Sequence, residues 1–178
     1  SKGQSTHNDG HPPHEEKIDM KQAHAGDSAH RRWTAHLAPL LLAWLLATAW
    51  GSVVQTQWNL QALTALGVDI STADRARTTW QDLTGFAPVY SGILAAGWLP
   101  ALALAALLGR RGPAGRTVLL ATAAGLGMVA AVRAVDAVAP MPTFIDATRH
   151  WPGLLTMAAG AVVGGWVYGR GTGRQASR

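Results

Sequence analysis

The chain has no cysteine. Disulfides, thiolate metal centres and cysteine nucleophiles are therefore excluded, whatever compartment it occupies. Charge is scarce as well: Asp, Glu, Lys and Arg make up 14% of the 178 residues, against about a quarter in an ordinary soluble domain. Residues 1–32 lack the short apolar core and small-residue cleavage site of a signal peptide. No repeat relates the two halves of the sequence, unlike many transporters.

Apolar residues are abundant, 48% of the chain, and they are concentrated in four runs, 33–54, 88–108, 117–139 and 152–168. Each is close to the ~20 residues that cross a hydrocarbon core as helix. A soluble bundle is disfavoured because the 117–139 run carries no charge before Arg133, and a soluble helix needs a polar face. The expected fold class is all-α: an integral membrane four-helix bundle with short amphipathic helices in its outer loops. Trp33, Trp50, Trp58, Trp151 and Trp166 fall near the ends of the runs, where indole rings are favoured at headgroup depth.

Arginine placement gives the expected orientation. Arg31 and Arg32 precede the first run, Arg110, Arg111 and Arg116 fill the link between the second and third, and Arg170, Arg174 and Arg178 follow the fourth. All three sets fall on one side, which the positive-inside rule makes cytoplasmic together with both termini. On the other side Arg75, Arg77, Arg133 and Arg149 are offset by Asp69, Asp74, Asp82, Asp136 and Asp146. The pI near 10.4 thus reflects orientation, and nucleic acid is not an expected partner. The domain plan is a disordered histidine-rich tail at 1–32, a four-span domain at 33–169 and a basic tail at 170–178.

Between the first two runs, Gln55-Thr56-Gln57 marks an exit from apolar sequence. Beyond it, Asn59 caps a short helix closed by Gly67, with Trp58, Ala62, Leu63 and Leu66 on one face. Ser71 and Asp74 form a capping box for a second short helix, closed by Gly85. In "PMPTFIDATRHWPG", Pro140 and Pro142 stop the third run, Thr143 and Asp146 cap a turn, and Pro152 opens the fourth. The loops are expected to form a helical cap over the bundle.

Small residues recur at four-residue spacing: Gly160 with Gly164, Ala121 with Gly125, Ala123 with Gly127. Such faces let membrane helices approach closely, within the chain or against another subunit. Pro100, beside Gly97 and Trp98, is expected to kink the second span. Arg133 and Asp136 are the ionisable residues inside a run, and their i, i+3 spacing makes an ion pair. No carboxylate lies in the other three runs, which argues against a proton-coupled exporter. His36 and His150 sit at opposite ends and cannot share a haem. His7, His11 and His14 are weak candidates for a divalent metal. His14-Glu15 begins like a zincin motif, but the required second histidine is Ile18. Ser91, His150 and Asp146 share a side without an oxyanion hole or nucleophile elbow, so no catalytic residue is assigned and no cofactor is expected within the chain alone.

The pieces "SVVQTQWNLQAL", "DLTGFAPVYSGI" and "MPTFIDATRHWPGLL" together resemble uncharacterised small four-span bacterial inner-membrane proteins, to which no activity attaches. The resemblance covers 33–169 and implies four spans in a bacterial inner membrane; it carries over no site residues. Claudin-like proteins and quinone-linked disulfide oxidoreductases need cysteines, b-type membrane cytochromes need paired histidines within spans, and small multidrug exporters need a glutamate in the first span. The expected role is a non-enzymatic accessory subunit or scaffold of a larger membrane complex, with lipid and other integral membrane subunits as partners. The alternative is a small transporter or ligand-binding membrane protein with a cavity near Pro100, Arg133 and Asp136.

Overall fold

The computed structural model describes residues 13–108, 112–138 and 145–176, with side chains from His36 onward except at Pro113, Asp146 and 174–176. Its regular structure is entirely helical: α1 (Pro13–Ala65), α2 (Thr72–Leu108), α3 (Pro113–Val138), a 3-10 turn (Asp146–Arg149) and α4 (Trp151–Ala176). Each long helix packs on two others, α1 on α2 and α4, and α3 on α2 and α4, so the four form a ring. The end where α1 joins α2 and α3 approaches α4 is called the upper end below.

Three helices are long and apolar enough to cross a membrane: α1 over His36–Ala65, α2 over Thr72–Leu108 and α3 over Ala114–Val138. The fourth, α4, has 26 residues. Its apolar run is diluted by Gly153, Gly160, Gly164, Gly165 and Gly169, each of which meets a neighbouring helix or the 3-10 turn. The outer surface is as greasy as the interior, with Leu41, Leu42, Leu45, Leu46, Leu99, Leu104, Val118, Leu126, Leu155 and Val163 all exposed. A water-soluble bundle of this size does not spread apolar side chains over every helix.

Two expectations need correction. The short amphipathic helices of the first outer loop are not separate elements: α1 continues unbroken through Gln55-Thr56-Gln57 to Ala65, and α2 runs from Thr72 through Gly85, Pro88 and Pro100 to Leu108. Polarity takes a helix out of hydrocarbon without ending it, because its backbone bonds are internal, and residues 55–65 contain neither glycine nor proline. The disordered tail expected over 1–32 also differs, since the backbone is helical from Pro13. Proline is tolerated at a helix start, and the Glu, Lys, Gln, Met and Ala of 14–29 are good helix formers. Residues 1–12, 109–111, 139–144 and 177–178 lie outside the described residues. They include Pro140, Pro142 and Thr143, and Arg110 and Arg111 of the basic link.

The helix ends between α1 and α2 are built as the residues dictate. Gly67 takes a positive φ of 87°. Around it the Val68 amide donates to the Leu63 carbonyl at 3.2 Å and the Gly67 amide to the Thr64 carbonyl at 3.0 Å, the paired bonds of a Schellman motif. Ser71 then caps α2: its Oγ accepts from the Asp74 amide at 3.1 Å and donates to the Asp74 carboxylate at 2.6 Å.

Packing is asymmetric. α1 turns mainly small residues inward, Ala43, Ala47, Gly51 and Ser52, while α2 supplies the bulk with Tyr90, Leu94 and Trp98, each at most 1% exposed. A methyl placed on Gly51 would strike the Tyr90 ring, and one on Gly97 would run into the Gly127 carbonyl. At that crossing α2 and α3 touch backbone to backbone. Gly97→Ala should therefore destabilise the bundle by about 1–3 kcal/mol. Gly92→Ala, with open space around it, should leave thermal melting in detergent unchanged or raise it slightly.

Candidate functional site

Successive residues of a helix project about 100° apart. Three hydrogen-bonding residues in a row, Gln55, Thr56 and Gln57, therefore reach three different neighbours. The Ala147 amide of the 3-10 turn donates to Gln55 Oε1 at 2.9 Å in a buried bond. The Thr56 hydroxyl lies 2.7 Å from Asp82 Oδ2 and 2.9 Å from the Ser52 carbonyl, both acceptors for its one proton. Gln57 Nε2 donates to Thr79 Oγ1 at 3.1 Å, and its Oε1 accepts from the Arg75 guanidinium at 2.9 Å. One turn of α1 thus clamps the α2 extension on one side and the α3–α4 connection on another. Above this polar collar α1 and α2 continue as a hairpin.

On the hairpin the expected apolar face divides. Trp58 is half-buried and packs on the core. Leu63, Leu66, Val68 and Trp80 are exposed, Leu66 by 81% and Trp80 by 68%. Thr72, Arg75, Ala76, Thr79, Trp80 and Leu83 line an open depression of about 400 Å³ along α2.

Arg133 and Asp136 lie together near the upper end of α3, with Arg133 Nη1 3.9 Å from Asp136 Oδ2. That distance gives charge attraction without a hydrogen bond. The guanidinium sits 5.4 Å from the centre of the Trp151 ring at the start of α4, within cation–π range. Asp136 is largely buried, and neither carboxylate oxygen has a hydrogen-bond partner. An apolar groove of about 330 Å³ does open between α2 and α3, lined by Ile93, Ala96, Gly97, Ala130, Ala131, Ala134 and Val135. Pro100, Arg133 and Asp136 are not among its walls.

The small residues are placed inside the ring. Gly160 receives the Trp50 side chain, whose indole N–H donates to the Thr156 carbonyl at 2.8 Å. Gly164 faces Ala43, Ala47 and Trp98; Gly125 faces Val162; Gly127 faces Gly97 and Ala101; Ala121 lies against Gly165. Ala123 packs half-buried on the core. His7 and His11 lie outside the described residues, and His14 is described only as backbone of α1. Among the described residues no three His, Asp or Glu side chains gather where a metal ion would sit. His36 and His150 are both exposed, and the Ser91 hydroxyl donates to the Pro88 carbonyl at 2.7 Å.

The bond from Thr56 to Asp82 and the buried hydroxyls of Thr48, Ser52 and Tyr90 escaped sequence reasoning. One signal was available for the α1 residues: Thr48, Ser52, Gln55 and Thr56 fall at i, i+4, i+7 and i+8, a polar stripe on one face. Gln55→Leu leaves the buried Ala147 amide without its acceptor. It should cost about 1–3 kcal/mol and speed hydrogen exchange at that amide, whereas Thr84→Ala, exposed and bonded only within its own helix, should change either readout little.

No protein-family model matches the chain, and comparison with curated proteins and with solved structures finds no match.

Proposed function

We propose that the chain is a non-enzymatic, four-span protein of a bacterial inner membrane, with both termini cytoplasmic, acting as an accessory subunit or scaffold of a larger membrane complex. α4 is the fourth span: at 26 residues it is about 39 Å long, uncharged from Trp151 to Gly169, and its glycines serve close packing. The arginine-rich flanks on one side support the orientation.

The observation that carries the role is the hairpin above the collar. It holds Leu63, Leu66, Val68 and Trp80 exposed on a polar extension and is fixed to the bundle by Gln55, Thr56 and Gln57. Exposed apolar residues on a rigid arm are what a partner protein covers. The small-residue faces are occupied within the chain, so the partner contact falls on this arm and leaves the packing between spans untouched. The double variant Leu63→Ser, Leu66→Ser should melt like the parent in mild detergent yet lose any co-purifying membrane protein. Recovering only monomer with the unaltered chain from its native membrane would count decisively against the role.

The ligand-binding alternative keeps one favourable observation, the apolar groove between α2 and α3. On that reading the groove holds a lipid chain. Ala130→Phe should then reduce lipid retained through purification, measured by mass spectrometry.

A further inference from the structure

The two sides of α4 are built differently. Between Gly153 and Arg170 its exposed residues are Leu155, Ala159, Val162, Val163, Trp166 and Arg170, spaced by three or four, so they form one outward stripe. The glycines lie on the other side, against neighbouring helices and the 3-10 turn. From Leu155 to Trp166 the stripe is apolar and about 16 Å long, close to half of the ~30 Å hydrocarbon core. That is the depth of one leaflet, and it suits one acyl chain lying lengthwise.

At the lower end the stripe changes chemistry. The Arg170 guanidinium carbon sits 4.5 Å from the centre of the Trp166 ring, within cation–π range. The ring takes one face of the guanidinium, and the N–H donors, which lie in its plane, remain for an acceptor. A phosphate offers two oxygens to such a fork.

Charge then selects among lipids. Residues 28–68, 83–135 and 147–178 contain no Asp or Glu, so the lower parts of the four helices, from Trp33 on, carry no acid. Arg116, at the same end, donates to a neutral group, the Thr172 hydroxyl, at 2.7 Å, and Arg174 follows Arg170 one turn later in the sequence. A zwitterionic headgroup brings a cation that finds no counter-charge here. An anionic headgroup brings none. A second copy is a poorer occupant, since two chains of one orientation paired along this face about a two-fold axis would set their Arg170 residues at one depth, charge against charge.

We propose that this stripe binds one anionic phospholipid of the cytoplasmic leaflet, with its phosphate on the edge of the Arg170 guanidinium and an acyl chain running past Trp166 and Val163 toward Leu155. The inference rests on the four-span reading and its orientation, as proposed above.

Native mass spectrometry of the full chain in detergent, titrated with phosphatidylglycerol or phosphatidylcholine of identical chains, tests it. The parent should take up phosphatidylglycerol about fivefold more readily, the preference that one arginine at a membrane surface supplies. Arg170→Gln should melt like the parent and lose that preference, whereas Arg77→Gln, an exposed arginine of the upper hairpin, should keep it. Equal uptake of both lipids by the parent, or a preference that survives Arg170→Gln, removes the site and leaves the membrane assignment standing. A chain that stays monomeric without detergent and takes up neither lipid removes the membrane assignment and the site with it. Displacement of bound phosphatidylglycerol by millimolar inorganic phosphate would show an anion site indifferent to the acyl chain, and a lipid-free dimer would show a second copy on the stripe; either overturns the proposal.

Discussion

The spacing between helices rests on side chains that are missing. Gly97 meets Gly127, Gly165 meets Leu120 and Ala121, and Gly164 meets Ala43 and Ala47, so backbones approach to the limit of van der Waals contact. Hydrocarbon gives helices no hydrophobic reason to associate, which leaves dispersion at short range as the force holding such a ring together. Close approach on one side then leaves room on another. The bulk of Tyr90, Leu94 and Trp98 fills what α1's small residues vacate, and Trp50 fills the notch at Gly160. The wide and narrow parts of the bundle are one packing solution.

At the upper end hydrogen bonds replace close packing. Gln55, Thr56 and Gln57 sit where α1 passes from an apolar surface to a polar one; Gln55 takes its partner from the 3-10 turn, and Thr56 and Gln57 take theirs from α2. The order of strength follows burial. The Gln55 bond to the Ala147 amide is sealed from solvent, so losing it strands a backbone donor, whereas the Gln57 and Arg75 contacts are part-exposed and compete with water. The 3-10 turn is pressed home from below as well, since a methyl on Gly153 would strike the Ala147 carbonyl. The two upper connections are therefore tied to one turn of one helix.

Local chemistry was legible in the sequence, while its reach along the chain was not. Ser71 with Asp74 and Gly67 act as a cap and a stop because a hydroxyl three residues from an amide, or a residue free to take positive φ, acts on its immediate neighbours alone. The same reasoning misjudged Gly85. With nothing packed around it, a glycine costs a helix about 1 kcal/mol, too little to end one anchored on both sides by Thr56–Asp82 and by Tyr90 in the core. Four-residue spacing of small residues announced close approach but not the partner: that Gly160 meets Trp50 and Gly127 meets Gly97 depends on which helices are neighbours, a property of the whole ring. The i, i+3 spacing of Arg133 and Asp136 put them side by side, yet Trp151 reaches the guanidinium from a part of the chain that no local pattern connects to it.

What the collar supports gives the arm its significance. From Val54 to Ala65 α1 rises about 16 Å, enough to carry Leu66 and Val68 clear of the apolar belt that Leu41 through Trp50 and Leu99 through Leu107 form around the bundle. Folding does not use these residues, because they are exposed in the folded chain. A floppy loop tip would blunt the hazard by collapsing on itself; a helix closed by a Schellman motif and clamped by three hydrogen-bonding side chains cannot. Rigidity and exposure together cost solubility in isolation, and they lower the ordering entropy that a partner must overcome on docking. On the proposed reading, that combination is what a docking arm requires.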